Sequence, residues 1–155
     1  MIPSNIAEVN HWRGQCLDNF ARVEQAVIKL IERWRKESPS TAPTLAETAS
    51  ARSRNLASSL QKHGSSEPAA KQLAKLLHLW GHRERDRNDL VHGIFTIKSS
   101  GDRWTVINRT IAVKKQVAME KDDLRSAAEA DAFLAAIIEE RKKLEAALSG
   151  FAKFP

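Results

Sequence analysis

Residues 5–36, NIAEVNHWRGQCLDNFARVEQAVIKLIERWRK, decide the architecture of this chain. Val9, Trp12, Cys16, Phe20, Val23, Val27, Leu30 and Trp34 recur there at spacings of three and four. That period places all eight on one side of a helix about 48 Å long, at roughly 1.5 Å per residue. A seam of this length is the kind that helical bundles use. The prolines and small hydroxyl residues of Ser38-Pro39-Ser40-Thr41-Ala42-Pro43-Thr44 stop the helix. A weaker second helix is expected over residues 45–62, with Leu45, Ala49, Leu56 and Leu60 on one side.

Ser66 reads as a helix cap and Pro68 as a first-turn residue. The third helix then runs to Val91, where Gly93 ends it. Ile94–Lys98 and Arg103–Ile107 are β-branched and aromatic segments flanking Ser99-Ser100-Gly101-Asp102, the pattern of a hairpin. Thr110–Val117 is a candidate third strand. Asp122 or Asp123 opens a last helix ending near Gly150, with Phe133, Leu134, Ile137, Ile138, Leu144 and Leu148 inward. The expected fold is mainly α: a four-helix up-and-down bundle with a small β-hairpin insertion, residues 94–117, before the last helix. Residues 1–155 are expected to form a single domain.

The composition is that of an ordinary globular protein, with 42% hydrophobic and 28% charged residues, which argues against dominant disorder. Cys16 is the one cysteine, so no intramolecular disulfide framework exists. No apolar run approaches the ~18 residues of a membrane span. The opening Met1-Ile2-Pro3-Ser4-Asn5 lacks the basic and apolar regions of a signal peptide. A cytoplasmic protein without a membrane partner is expected. The net charge is +6, and residues 98–121 carry six basic groups against two acidic ones. Such a surplus suits a polyanion but also occurs in proteins that bind none.

The third helix carries the chemistry. Its seam reads Leu73, Leu76, Trp80, Arg83, Arg87, Leu90, so two arginines stand where the period asks for leucine. Arginine is rarely fully buried without a partner. These two residues therefore emerge into solvent or line a cleft or an interface. Asn88 and His92 are four apart and share one side of the last turn, beside Arg87. The alternation of arginines with Glu84, Asp86 and Asp89 also fits a solvated face laced with ion pairs. His92 before Gly93 equally fits a simple helix cap favoured by the dipole.

Arg87-Asn88, a three-residue spacer and His92 resemble the Arg-polar-spacer-His signature of the HEPN superfamily. These helical-bundle proteins include metal-independent endoribonucleases, many of them toxins or phage-defence effectors. The helix order is similar too: a long first helix, the motif at the end of a later one, and a closing helix. The resemblance implies RNA as substrate, a homodimer that brings two motifs to one cleft, and no metal or cofactor. It leaves room for an antitoxin or regulatory partner. His92 would act as acid/base, Arg87 would grip the scissile phosphate, and Asn88 would orient a reacting group. Arg83, one turn earlier, is a candidate second phosphate contact. The same fold without cleavage would give a dimerising scaffold or a nucleotide- or RNA-binding module. A coincidental motif on a structural bundle predicts a monomer, or a dimer through another face. Members paired with nucleotidyltransferases often carry a tyrosine two residues after the histidine. Ile94 stands there and the chain has no tyrosine, which excludes silencing by transfer to that side chain.

The hairpin lies outside the minimal family fold. Its Trp104 could stack on a base while Lys98, Arg103, Arg109, Lys114 and Lys115 follow phosphates. Packing of Trp104 and Val106 on the bundle is the favoured alternative. His78 and His82 have the spacing of a helical metal pair but no third ligand. Cys16 belongs to the apolar seam, and no nucleophile elbow or glycine-rich phosphate loop is present. The run Arg141-Lys142-Lys143 reads as a solvated face balanced by Glu139, Glu140 and Glu145.

Overall fold

Eight elements follow one another in the computed structural model: α1 (Ile2–Glu37), α2 (Ala49–His63), α3 (Pro68–Gly81), α4 (Arg83–His92), β1 (Ile94–Ser100), β2 (Arg103–Lys114), β3 (Val117–Ser126) and α5 (Ala127–Gly150). The structure describes the chain apart from Met1, Ser65 and Asp102 and the side chains of Ile2, Pro3, Ser4 and Ser100. The fold is mainly helical, with a three-stranded antiparallel sheet in the order β1-β2-β3 ahead of the last helix. Two compact units divide the chain. The first comprises Met1–Asp18 and Arg85–Ile137, the second Asn19–Glu84 and Ile138–Pro155.

The second unit is helical. Phe20, Val23, Val27, Leu30, Ile31 and Trp34 of α1 are buried there, as are Leu56 and Leu60 of α2 and Leu73, Leu77 and Trp80 of α3. Leu144 and Leu148 of α5 and the following Phe151 complete the core. Phe20 meets Trp80 with ring centroids 5.3 Å apart. The Trp34 indole N–H, which burial would otherwise orphan, donates to Thr41 Oγ1 at 3.0 Å. Thr41 in turn donates to the Pro155 carbonyl at 2.7 Å, so the chain after α1 and the C-terminus meet over Trp34.

The first unit is built around Trp12, whose indole N–H donates to the Ala130 carbonyl at 2.8 Å. Its ring packs against Trp104 and Phe133, each at 6.2 Å. Trp104 reaches this core because β2 alternates: Trp104, Val106 and Asn108 point inward. Beyond the body of the sheet, β2 and β3 continue as a two-stranded ribbon in which residues 111–122 are all exposed.

All eight α1 seam residues are buried, as the spacing predicts. Elsewhere the structure departs from expectation. The helix expected to run unbroken from Pro68 to Val91 is two, interrupted at His82, whose N–H bonds the Leu79 carbonyl at 3.2 Å after the poor helix former Gly81. The insertion is not a hairpin but a three-stranded meander. Residues 110–114 prolong β2, and the third strand is Val117–Ser126 rather than Thr110–Val117. The last helix starts at Ala127, not at Asp122 or Asp123, which pair with Arg109 and Asn108 across the strands. A capping box opens it: Ser126 Oγ accepts from the Glu129 N–H, and the Glu129 carboxylate accepts from the Ser126 N–H at 2.7 Å. The Ser126 N–H and the Ser126 hydroxyl, which donates to the same carboxylate at 2.8 Å, hold Glu129 below its ordinary pKa. Likewise α2 starts at Ala49 behind a Thr48 cap, leaving Leu45 in the linker and 38% exposed, and Glu67 rather than Ser66 occupies the position before α3. Asp102 of the β1–β2 turn lies outside the described residues.

The β2–β3 connection is the two-residue turn Lys115-Gln116, with φ of 50° and 63°. Two left-handed residues give the primed turn whose twist matches a hairpin, but neither side chain is of the type that adopts it easily. Lys115→Asn with Gln116→Gly should stabilise the ribbon by about 1 kcal/mol. Amide hydrogen exchange across residues 110–121 should then slow roughly fivefold; unchanged exchange would contradict the left-handed turn.

Candidate functional site

α4 carries Arg87, Asn88 and His92 in the first unit. Asn88 and His92 are exposed on adjacent turns, and Arg87 is half-buried. Arg87 Nη1 donates to Asn88 Oδ1 at 3.4 Å, a long and weak bond. Among the described residues, the His92 side chain takes part in no hydrogen bond or ion pair.

The backbone beneath this side chain is tightly held. A helix end leaves carbonyls without intrahelical donors, and here other elements supply them. The Asp89 carbonyl accepts from the Gly93 N–H and from Asn108 Nδ2, both at 2.9 Å. Arg13, reaching from α1, donates through Nε to the Leu90 carbonyl at 2.7 Å and through Nη2 to the Val91 carbonyl at 3.1 Å. Its guanidinium also lies 4.5 Å from the centre of the Phe95 ring. A cation at a helix C-terminus is favoured by the dipole as well as by the bonds. The Asp89 carboxylate pairs with Lys121 of β3 at 3.0 Å, tying the same turn to the sheet from a second side.

Gly93 is required by this arrangement. A Cβ there would lie 1.6 Å from Asn108 Oδ1 and 2.5 Å from the Asp89 carbonyl oxygen. Asn108 Oδ1 is itself buried without a hydrogen-bond partner among the described residues. The opposite amide orientation would turn that oxygen onto the Asp89 carbonyl, so the bond from Nδ2 fixes the side chain. A void of about 10 Å³ lies beneath α4, lined among others by Asp86, Asn108, Asp123 and Arg125.

The other candidates are dispersed. Arg83 belongs to the second unit, where its fork is engaged with Glu140 through Nε at 2.9 Å and Nη2 at 2.6 Å. The role expected of it as an open phosphate contact gives way to a bidentate ion pair. Trp104 is 2% exposed and its Nε1 donates to Glu8 at 2.9 Å, so its ring is not a stacking surface for a base. Arg103 is exposed and paired with Asp131 at 2.9 Å. Lys114 and Lys115 are exposed at the ribbon tip. Arg109 makes two bonds of 2.8 Å to Asp122, which holds that carboxyl below its ordinary pKa.

Arg13 and Asn108 had no place among the sequence candidates. Asn108 carries a signal, because it continues the inward alternation of Trp104 and Val106 as a polar residue. Arg13 carries none: it adjoins Trp12 off the seam, and only the tertiary fold brings it to α4. The His78 and His82 rings lie 5.3 Å apart, but no group of three metal-ligating side chains occurs among the described residues. Cys16 is fully buried, and desolvation pushes its thiol up to about 12, which removes it as a nucleophile near neutrality. No helix among the described residues is long and apolar enough to cross a membrane. No family model, curated protein or solved structure matches the chain.

Gly93→Ala should destabilise the protein by about 2–3 kcal/mol, because Asn108 must leave the Asp89 carbonyl to admit the methyl group. Adding Asn108→Ala should recover about 1 kcal/mol or more in urea unfolding, a non-additivity expected only of residues in direct conflict. Strictly additive losses would show that the two do not meet.

Proposed function

We propose that the chain is a metal-independent endoribonuclease of the HEPN kind, as in toxin–antitoxin or phage-defence systems, built on an up-and-down helical bundle. The observation that carries this reading is His92 itself: exposed, without a partner among the described residues, and on the same helix end as Arg87 and Asn88, in a turn whose carbonyls Arg13, Asn108 and Gly93 hold in place. A general base must be reachable, and this histidine is exposed on a backbone that is itself held in place.

The chemistry follows from the residue types. Neutral imidazole takes the proton of the ribose 2′-hydroxyl, whose oxygen attacks the adjacent phosphorus. The 5′-oxygen leaves with a proton from a second acid, leaving a 2′,3′-cyclic phosphate and a 5′-hydroxyl. The permanent charge of Arg87 offsets the charge growing on the phosphate, and Asn88 orients the reacting group. A homodimer supplies the second histidine as that acid. Arg103, Lys114 and Lys115 provide further contacts to RNA phosphates. The half-burial of Arg87 supports the second reading, a non-catalytic scaffold or RNA-binding module whose motif serves the fold.

The exposed apolar side chains of the ribbon support association with a second copy. Ile111 is 59% and Val113 74% exposed, and they share one face of a two-stranded extension that is marginal by itself. Light scattering should give a dimer for the wild type and a monomer for Ile111→Lys with Val113→Lys. A wild-type monomer would remove this part of the reading.

Total RNA incubated with purified protein in excess EDTA should yield fragments ending in 2′,3′-cyclic phosphate. His92→Ala and Arg87→Ala should each lower the rate by about 100-fold or more, with thermal unfolding unchanged. Cleavage that persists in both variants, or that is absent from the wild type at high concentration, would move the assignment to the scaffold.

A further inference from the structure

A cavity lies wholly within the second unit. It is an open groove of about 700 Å³ between α1 and α5. α1 presents Arg22, Lys29 and Arg33 to it, and α5 presents Lys142. The α1 positions are seven and four residues apart, so they form one stripe rising about 16 Å along the helix. Leu30 and Leu148 are the buried residues of its lining.

Charge decides what such a groove accepts. Lys29, Arg33 and Lys142 bring positive charge to a lining whose carboxylate, Glu145, is already engaged by Arg141, while Glu139 outside the lining meets Lys142 at 3.5 Å in a long, exposed pair worth little. Arg33 is fixed in place, since its Nη2 donates to the carbonyls of Leu148 at 3.2 Å and Phe151 at 2.7 Å while the charge remains. Lys29 and Lys142 are exposed on the two walls. No aromatic side chain lines the groove, so nothing there can stack on a base. Several cations along an open channel without a stacking platform suit a chain of phosphates rather than a single nucleotide.

We propose that this groove binds the phosphodiester backbone of single-stranded RNA, independently of sequence. The inference rests on the RNA reading above and adds to it phosphate contacts on residues other than Arg87, Asn88 and His92. The groove follows phosphates by charge alone, so its affinity falls steeply with salt.

Binding of a fluorescein-labelled 2′-fluoro oligouridylate of about 12 nucleotides tests it, because that strand lacks the hydroxyl needed for cleavage. Lys29→Gln with Lys142→Gln should weaken binding about tenfold at low salt and reduce the slope of log affinity against log salt by about 1.4. Arg35→Gln with Lys36→Gln removes the same charge from exposed positions of α1 outside the groove and should change affinity less than about twofold. All four side chains are exposed, so melting curves should overlay that of the wild type. Equal losses in the two double variants, or none in the first, would overturn the proposal. Displacement of the strand by polyglutamate of equal charge would overturn it in favour of an acidic protein partner. Groove-dependent binding without any RNA cleavage would leave the groove standing and sink the ribonuclease reading. Cleavage with groove-independent binding would do the reverse.

Discussion

The last turn of α4 ends against a strand, and its carbonyls need donors that the helix cannot supply. Much of the first unit is arranged around that need. The Asp89 carbonyl receives two N–H groups, one from Gly93 and one from Asn108, so the helix end and β2 must close to contact distance. Only glycine at position 93 permits the approach. Arg13 answers the next two carbonyls from α1, and its position on Phe95 of β1 brings a third element to the same point. Three elements thus converge on one helix terminus. Because a buried polar group left without a partner costs about 1–3 kcal/mol, none of these donors is readily replaced by an apolar residue.

The tryptophans show the same logic in the core. An indole buries a large apolar surface but carries one N–H that must find an acceptor. Trp12 finds a main-chain carbonyl of α5 and Trp104 finds the Glu8 carboxylate on α1. Each ring therefore joins packing to a directed bond between distant parts of the chain. In the second unit Trp34 does likewise through Thr41. This explains why Trp104 is lost to any RNA-binding surface: freeing its ring would break both its packing with Trp12 and its bond to Glu8.

The long helix was legible because eight residues of one period agree, and burial on a helix face rewards that agreement position by position. The sheet was legible where β-branched residues flank Gly101, a residue that takes φ of 59° without strain. The next turn was not, since Lys115 and Gln116 adopt the left-handed region without the glycine or asparagine that announces it. With that turn hidden, β3 merged into the approach to the last helix, and Asp122 and Asp123 passed for caps. The true start was written as Ser126-Ala127-Ala128-Glu129, a capping-box spacing that competed with two nearer aspartates. At the candidate site, local spacing placed Arg87, Asn88 and His92 on one helix end. The partners of that end lie 70 or more residues away for Arg13 and on another strand for Asn108, beyond the reach of any local pattern.

Charge shows a further gap between a sequence window and a surface. Residues 98–121 hold six cations and two acids, which reads as a positive sheet. In the fold, Arg103, Arg109 and Lys121 pair with Asp131, Asp122 and Asp89, all of them carboxylates outside that window. Half of the window's cations are thereby engaged, leaving Lys98, Lys114 and Lys115 as its open charge. The groove of the second unit shows the converse. Its cations come from two helix segments more than 100 residues apart in sequence. Folding collects the cations along one groove, where Glu145 is engaged by Arg141 and Glu139 meets Lys142 only at 3.5 Å. A polyanion responds to the surface potential rather than to composition, so the groove and the open lysines of the sheet are where it would be held.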